Sequence, residues 1–271
     1  MPIQKVRRLI AAACIGTVLS GVFIPEALAC PVSARPMPVP VLGGAQTALS
    51  QGRPISILAI GSSSTAGYGA SRTENTYPSQ LARHLSIALG PHAVEVTNAG
   101  VSGERGAATL RRLEAFMAQP KKPDLMIWQV GTNDSVFGGQ PGRLAETVNK
   151  GLSAAKAAGV PVIIIDQQYY PLILNRHRYE DFVSAVDQTA RAHGASILPR
   201  YAMMKAWSEQ DPEGFRKLLA WDRFHMNDAG YACLAQLLSD SILESLRGAQ
   251  KQAEASPAVV QPKRSSATGV H

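Results

Sequence analysis

Apolar and polar positions alternate between two periods along residues 55–248. Ile55–Ile60 is a short run rich in β-branched residues and predicts a strand buried on both faces. It runs straight into Gly61-Ser62-Ser63-Ser64-Thr65. Tyr77–Leu89 has Leu81, Leu85 and Leu89 at four-residue spacing and predicts a helix, stopped by Gly90-Pro91. Val94–Thr97 predicts a second strand, ahead of Asn98-Ala99-Gly100-Val101-Ser102-Gly103. Ala107–Met117 predicts a helix, and Leu125–Val130 a third strand before Gly131-Thr132-Asn133-Asp134. A helix over Leu144–Ala158 and a fourth strand, Val162–Ile165, come next, leading into Asp166-Gln167-Gln168-Tyr169-Tyr170. Phe182–Ala192 predicts a helix and Ser196–Leu198 a short fifth strand. Tyr201–Leu219 reads as mostly helical, broken at Pro212-Glu213-Gly214. The last helix is capped by Asn227, buries Tyr231, Leu234, Leu238 and Ile242, and ends with Gly248 as its C′ residue.

Strand–helix alternation five times over predicts an α/β domain: a five-stranded parallel sheet with helices on both faces. The polar motifs after the first three strands then project from one edge, where open α/β sheets bind ligands.

The periodicity fails at both ends. Residues 1–29 read as a signal peptide, with basic Lys5, Arg7 and Arg8, a 16-residue apolar stretch Leu9–Ile24, and Ala27-Leu28-Ala29 as a cleavage site. That stretch is shorter than the ~18 residues of a spanning helix, so export rather than a membrane span is expected. Residues 30–54 read as a Pro-rich extended arm and 249–271 as a disordered tail. Cys30 and Cys233 remain after cleavage, and an oxidising compartment would permit a bridge. A lipid anchor on Cys30 is the weaker alternative, because Ala27 stands where a lipobox usually has Leu.

Of the net charge of +7, about +5 stays with the mature chain. No basic run interleaves with aromatics, so nucleic-acid binding is not expected; mild attraction to acidic polymers or membrane surfaces is compatible with the charge.

The motifs permit acyl-transfer chemistry, which needs a nucleophile, a base, a group that orients the base, and oxyanion donors. Asp222 and His225 are three apart, so one turn can bring the carboxylate to one imidazole nitrogen and leave the other for a serine. Gly100 can expose an unobstructed N–H, and Asn133 offers a side-chain amide. Taken singly, each has an ordinary structural explanation as a surface pair, a turn residue or a helix cap. The first loop lacks the Lys of a Walker A motif, and Thr65 stands where a G-x-S-x-G elbow has its last Gly. Gly100, Gly103 and Gly106 do not match a dinucleotide fingerprint.

Taken in order, Gly-x-Ser, Asn-x-Gly-x-x-Gly, Gly-x-Asn-Asp and Asp-x-x-His closely resemble the SGNH (GDSL) hydrolase superfamily over about residues 55–247. The resemblance implies a three-layer, flavodoxin-like α/β/α sandwich that uses no metal or organic cofactor. It implies Ser63 as nucleophile, His225 as base, Asp222 as its partner, and Ser63, Gly100 and Asn133 as oxyanion donors. Ser62 and Ser64 depart from the family's Asp and Leu, and Met226 from its frequent Pro. The implied activity is a secreted serine esterase acting on acetyl or short acyl esters of glycans or lipids. A glycan O-acetyltransferase, a lysophospholipase or thioesterase, and a non-catalytic envelope module are the alternatives. Loops 68–76, 135–142 and 167–176 are expected to form the substrate rim, with Asp166, Gln167, Tyr169 and Tyr170 as candidate contacts.

Overall fold

In the computed structural model the described residues are 30, 39 and 42–255, with the backbone alone for 249–255. The expected signal peptide, most of the arm (31–38, 40 and 41) and residues 256–271 lie outside them.

Five strands pair in parallel in the order β2-β1-β3-β4-β5. They are β1 (Ile55–Gly61), β2 (Val94–Gly100), β3 (Leu125–Gln129), β4 (Val162–Ile165) and β5 (Ser196–Leu198). β1, β3 and β4 are buried along nearly their whole length, as their unbroken apolar runs predict. β2, whose apolar residues alternate with Glu95 and Thr97, is a half-exposed edge.

Strand alternation divides the core into two layers. Ile57 and Ala59 of β1, with Ile127 and Ile165, face α1 (Gly43–Ser50), α3 (Tyr77–Leu89), α8 (Arg200–Gln210), α9 (Pro212–Arg216) and α10 (Asp228–Ala255). Leu58 and Ile60, with Trp128 and Ile164, face α4 (Gly106–Ala118), α6 (Pro141–Ala157) and α7 (Arg176–Ala192). α6 lies against Trp128 because Gly151 has no side chain there; a β-carbon would meet the indole ring. Two short helices open directly from strand ends, α2 (Ser63–Ala66) after β1 and α5 (Thr132–Val136) after β3. The chain leaves β1 for β2 on one side and returns to β3 on the other, so these two strand ends flank the topological switch point.

Three sequence expectations are corrected. The arm is not extended throughout: α1 folds over 43–50, with Leu42, Ala45 and Ala48 fully buried. Burying Leu42 alone is worth roughly 1.5–3 kcal/mol, which outweighs the poor propensity of a segment that opens on two glycines. Gly248 does not end the last helix, which runs to Ala255 into what was expected to be tail. The Gln, Ala, Lys and Glu residues beyond it are good helix formers, and one Gly costs only about 1 kcal/mol. Pro212 starts α9 rather than breaking a helix; the break is at Asp211, whose Oδ1 accepts the Gly214 N–H at 2.9 Å.

Cys30 and Cys233 form a disulfide with Cα atoms 5.3 Å apart, fixing the start of the arm to α10. Among the described residues no helix is long and apolar enough to cross a membrane.

Candidate active site

β1 ends at Gly61, where a β-carbon would collide with Thr65 Oγ1 and the Gln129 carbonyl. The chain can therefore turn at once, and Ser63 becomes the first residue of α2. Its N–H, at a helix start, has no intrahelical acceptor. Ser62 is held by Gln129, whose Oε1 accepts both its N–H at 2.9 Å and its hydroxyl at 3.0 Å. A hydroxyl that donates to this amide oxygen gives a physical reason for Ser where the GDSL signature has Asp.

The loop from Ala220 to Asn227 is closed at both ends. Ala220 N–H donates to the His225 carbonyl at 2.8 Å. The Asn227 amide donates to the Lys217 and Leu219 carbonyls, while its Oδ1 caps α10 by accepting from Ala229 and Gly230. Inside the loop, Asp222 Oδ1 accepts the N–H groups of Phe224 and His225, both at 3.0 Å. Its Oδ2 lies 2.6 Å from His225 Nδ1. A carboxylate only accepts, so Nδ1 bears the hydrogen and Nε2 is the acceptor. Nε2 lies 2.8 Å from Ser63 Oγ. The three side chains thus form one hydrogen-bonded row across 162 positions of chain.

The imidazole is wedged between two rings, Tyr68 at 4.4 Å and Phe224 at 4.7 Å between centroids. Burial pushes its pKa below the ordinary histidine value; Asp222 opposes that shift and the charge of Arg200 adds to it. Burial alone would raise the Asp222 carboxyl, but hydrogen bonds from the imidazole and from two backbone N–H groups hold it below its usual range.

The donor side is built from β2 and α5. Gly100 pairs with Gly61 across the sheet, and a β-carbon there would run into the backbone of Thr65 and Ala66. Asn133, buried in α5, gives one amide N–H to the Glu104 carbonyl at 2.8 Å, which leaves its second N–H. The Gly100 N–H is already engaged, donating to Asn98 Oδ1 at 3.0 Å. The structure therefore gathers Ser63, Asp222, His225, Gly100 and Asn133 around the switch point.

The rim expectation is corrected. Asp166, Gln167 and Tyr169 are buried, because β4 delivers them beneath the surface. Asp166 Oδ1 accepts the Tyr201 N–H at 3.0 Å, its carbonyl takes the fully buried Arg200 guanidinium, and burial pushes its carboxyl up to about 7. Tyr169 packs against Tyr201 and Phe215. Tyr170 alone of the four is half-buried at the edge, with its ring 4.8 Å from Phe224.

Two supporting groups escaped sequence reasoning. Gln168 Oε1 accepts the Ser64 hydroxyl at 3.0 Å and its Nε2 donates to the Phe224 carbonyl at 2.9 Å, so one buried amide ties the residue after Ser63 to the residue before His225. Arg112 of α4 donates to the Ala99 and Gly61 carbonyls and pairs with Glu104, locking the ends of β1 and β2 together. Neither has a motif: each partner is remote in sequence.

A cleft of 460 Å³ opens beside the Asp222–His225 loop, lined by Leu172, Phe215, Leu219 and Trp221, with Arg216 and Arg223 at its margin. Among the described residues no group of three or more His, Cys, Asp or Glu is placed to hold a metal ion.

Comparison with known proteins places these features. The sequence profile described as the non-GDSL lipase-like family matches residues 29–248. The chain is 34% identical over 76 residues to the esterase TesA of Pseudomonas aeruginosa, spanning 28% of this chain but only 37% of that protein. It is 31% identical over 146 residues to an arylesterase of Vibrio mimicus, spanning 53% of this chain and 69% of that one. Among solved structures it is similar to AlinE4, an SGNH-hydrolase family esterase, at 26% identity and a TM-score of 0.52, over 72% of this chain and 97% of AlinE4.

Proposed function

The chain belongs to the non-GDSL lipase-like family, within the SGNH hydrolases, and from that premise we propose that it is a serine esterase acting through an acyl-enzyme on Ser63. The observation that carries this reading is the row Asp222 Oδ2–His225 Nδ1–Nε2–Ser63 Oγ, with steps of 2.6 and 2.8 Å.

Ser63 Oγ attacks the ester carbonyl carbon while its proton passes to His225 Nε2; Asp222 steadies the imidazolium. The oxyanion of the tetrahedral intermediate takes hydrogen bonds from the Ser63 N–H and the second Asn133 amide hydrogen. Gly100 joins them once its N–H exchanges Asn98 Oδ1 for the substrate oxygen. Collapse breaks the ester C–O bond, and the leaving alcohol takes the proton from His225. Water then attacks the acyl-enzyme, giving its proton to His225, and the acid leaves as Ser63 recovers its hydrogen.

Export is supported by the leader pattern of residues 1–29 and by the Cys30–Cys233 bridge, since disulfides persist in oxidising compartments. A lipid anchor on Cys30 would need the sulfur that bonds Cys233.

Turnover of p-nitrophenyl acetate tests the chemistry. Ser63→Ala abolishes it and His225→Ala lowers kcat by at least about 10³-fold. Full activity in Ser63→Ala would remove the assignment.

A further inference from the structure

Eight large apolar side chains are exposed among the described residues, and seven of them sit at one end of the molecule. Tyr68 follows β1, Val101 follows β2, Val136 and Phe137 follow β3, and Leu172 and Leu174 follow β4, while Trp221 precedes Asp222. The exception is Ile87, on α3. Scattered single apolar residues are ordinary on a surface, but a contiguous apolar patch marks an interaction site.

The loops are joined to one another. Arg105 Nη2 donates to the Phe137 carbonyl, and Arg178 Nη2 to the Gly139 carbonyl at 2.6 Å. Leu172 and Trp221 line the same cleft, and the Tyr68 ring lies tilted against His225. The apolar residues therefore sit on a linked collar of loops at the end of the sheet that carries Ser63.

The collar is also cationic. Its segments (67–76, 101–105, 134–140, 166–178 and 220–227) expose Arg72, Arg105, Arg176, Arg178 and Arg223, against Glu74 as the exposed acid within them and Asp181, beside His177, one turn further along α7. That charge decides the occupant. A second copy meeting this one about a twofold axis would face five guanidiniums with five more. A neutral apolar partner would leave them uncompensated.

We propose that this collar docks the protein on an anionic lipid bilayer, apolar tips among the acyl chains and arginines at the head groups. The docking does not depend on the chemistry assigned to Ser63.

Tryptophan emission of the full chain tests this directly. Of the three tryptophans, Trp128 and Trp207 are 0% and 1% exposed while Trp221 is 83% exposed, so a change on adding vesicles reports on the collar. Phosphatidylglycerol vesicles at low salt shift the emission to the blue, and brominated acyl chains quench it. Added salt weakens both effects, and phosphatidylcholine vesicles leave the emission unchanged. Phe137→Ser with Leu174→Ser weakens partitioning by at least about tenfold without changing the unfolding midpoint, since these side chains are 56% and 103% exposed. Ser63→Ala docks like the wild type, so failure of docking and failure of the nucleophile assignment are separable. The proposal is overturned by unaltered emission with phosphatidylglycerol at low salt, or by equal partitioning onto phosphatidylcholine. It is equally overturned by full binding in the double variant, or by a lipid-free shift that grows with protein concentration, which would mean a second copy covers the collar.

Discussion

Burial and the nearby Arg200 charge push the His225 imidazole below its ordinary range, and the Asp222 carboxylate pulls the other way. A base works only when unprotonated, so a lowered pKa extends activity to lower pH. The acid limb of kcat/KM for p-nitrophenyl acetate is expected below about pH 6.5, the unperturbed histidine value. Asp222→Asn removes the group that raises the pKa, so it moves that limb further down while cutting kcat by about 10⁴-fold through loss of the tautomer control. A limb above the ordinary value would mean that the folded protein favours the imidazolium. The row was legible in sequence only through the ordered motifs and the resemblance they carry, since Asp-x-x-His alone reads as a surface pair and Ser62, Ser63 and Ser64 are equivalent by position after an apolar strand. The state of the donors was not legible: nothing in the spacing indicates that Asn98 occupies the Gly100 N–H or that Asn133 leans on the Glu104 carbonyl.

Strands β1, β3 and β4 declare themselves as apolar runs, and α3 matches its expected bounds because four-residue leucine spacing, Gly90 and Pro91 agree. α1 was hidden because its buried face is mostly alanine, and only packing against β1 gives that face an advantage over coil. The rim failed for a related reason. A strand end reads as surface, yet the chain after β4 turns Asp166 and Tyr169 inward, where Arg200, Tyr201 and Phe215 cover them, and lays the Gln167 amide against Gly131. The buried amide of Gln168 joins the two elements to which the chemistry is assigned by proposal, the loop of Ser63 and the loop of His225. Gln168→Ala is expected to lower kcat by about 10–100-fold with little change in KM, since small misplacements of reacting groups cost rate rather than binding. Steady-state kinetics at the pH optimum check this; a rise in KM with unchanged kcat would make Gln168 a substrate contact.

The molecule as a whole is closed by one covalent link between its first described residue and its last helix. The Cys30–Cys233 bridge spans a sequence separation of 203, for which loop entropy allows at most about 5 kcal/mol of stabilisation. Reduction, or Cys30→Ser, is expected to lower the unfolding midpoint while esterase activity at room temperature persists, because neither cysteine touches the Ser63 row. An unchanged midpoint would show that the bridge only secures the arm. At this scale the apolar, arginine-bearing loops lie at the end of the sheet that carries Ser63, so the proposed docking and the proposed chemistry share that end. Ser63, and neither of its serine neighbours, is the proposed activated hydroxyl. Labelling the full chain with a fluorophosphonate and locating the adduct by peptide mass spectrometry tests it most directly. One adduct is expected, on Ser63, and lost in His225→Ala; an adduct on Ser62 or Ser64, or none at all, would contradict the assignment.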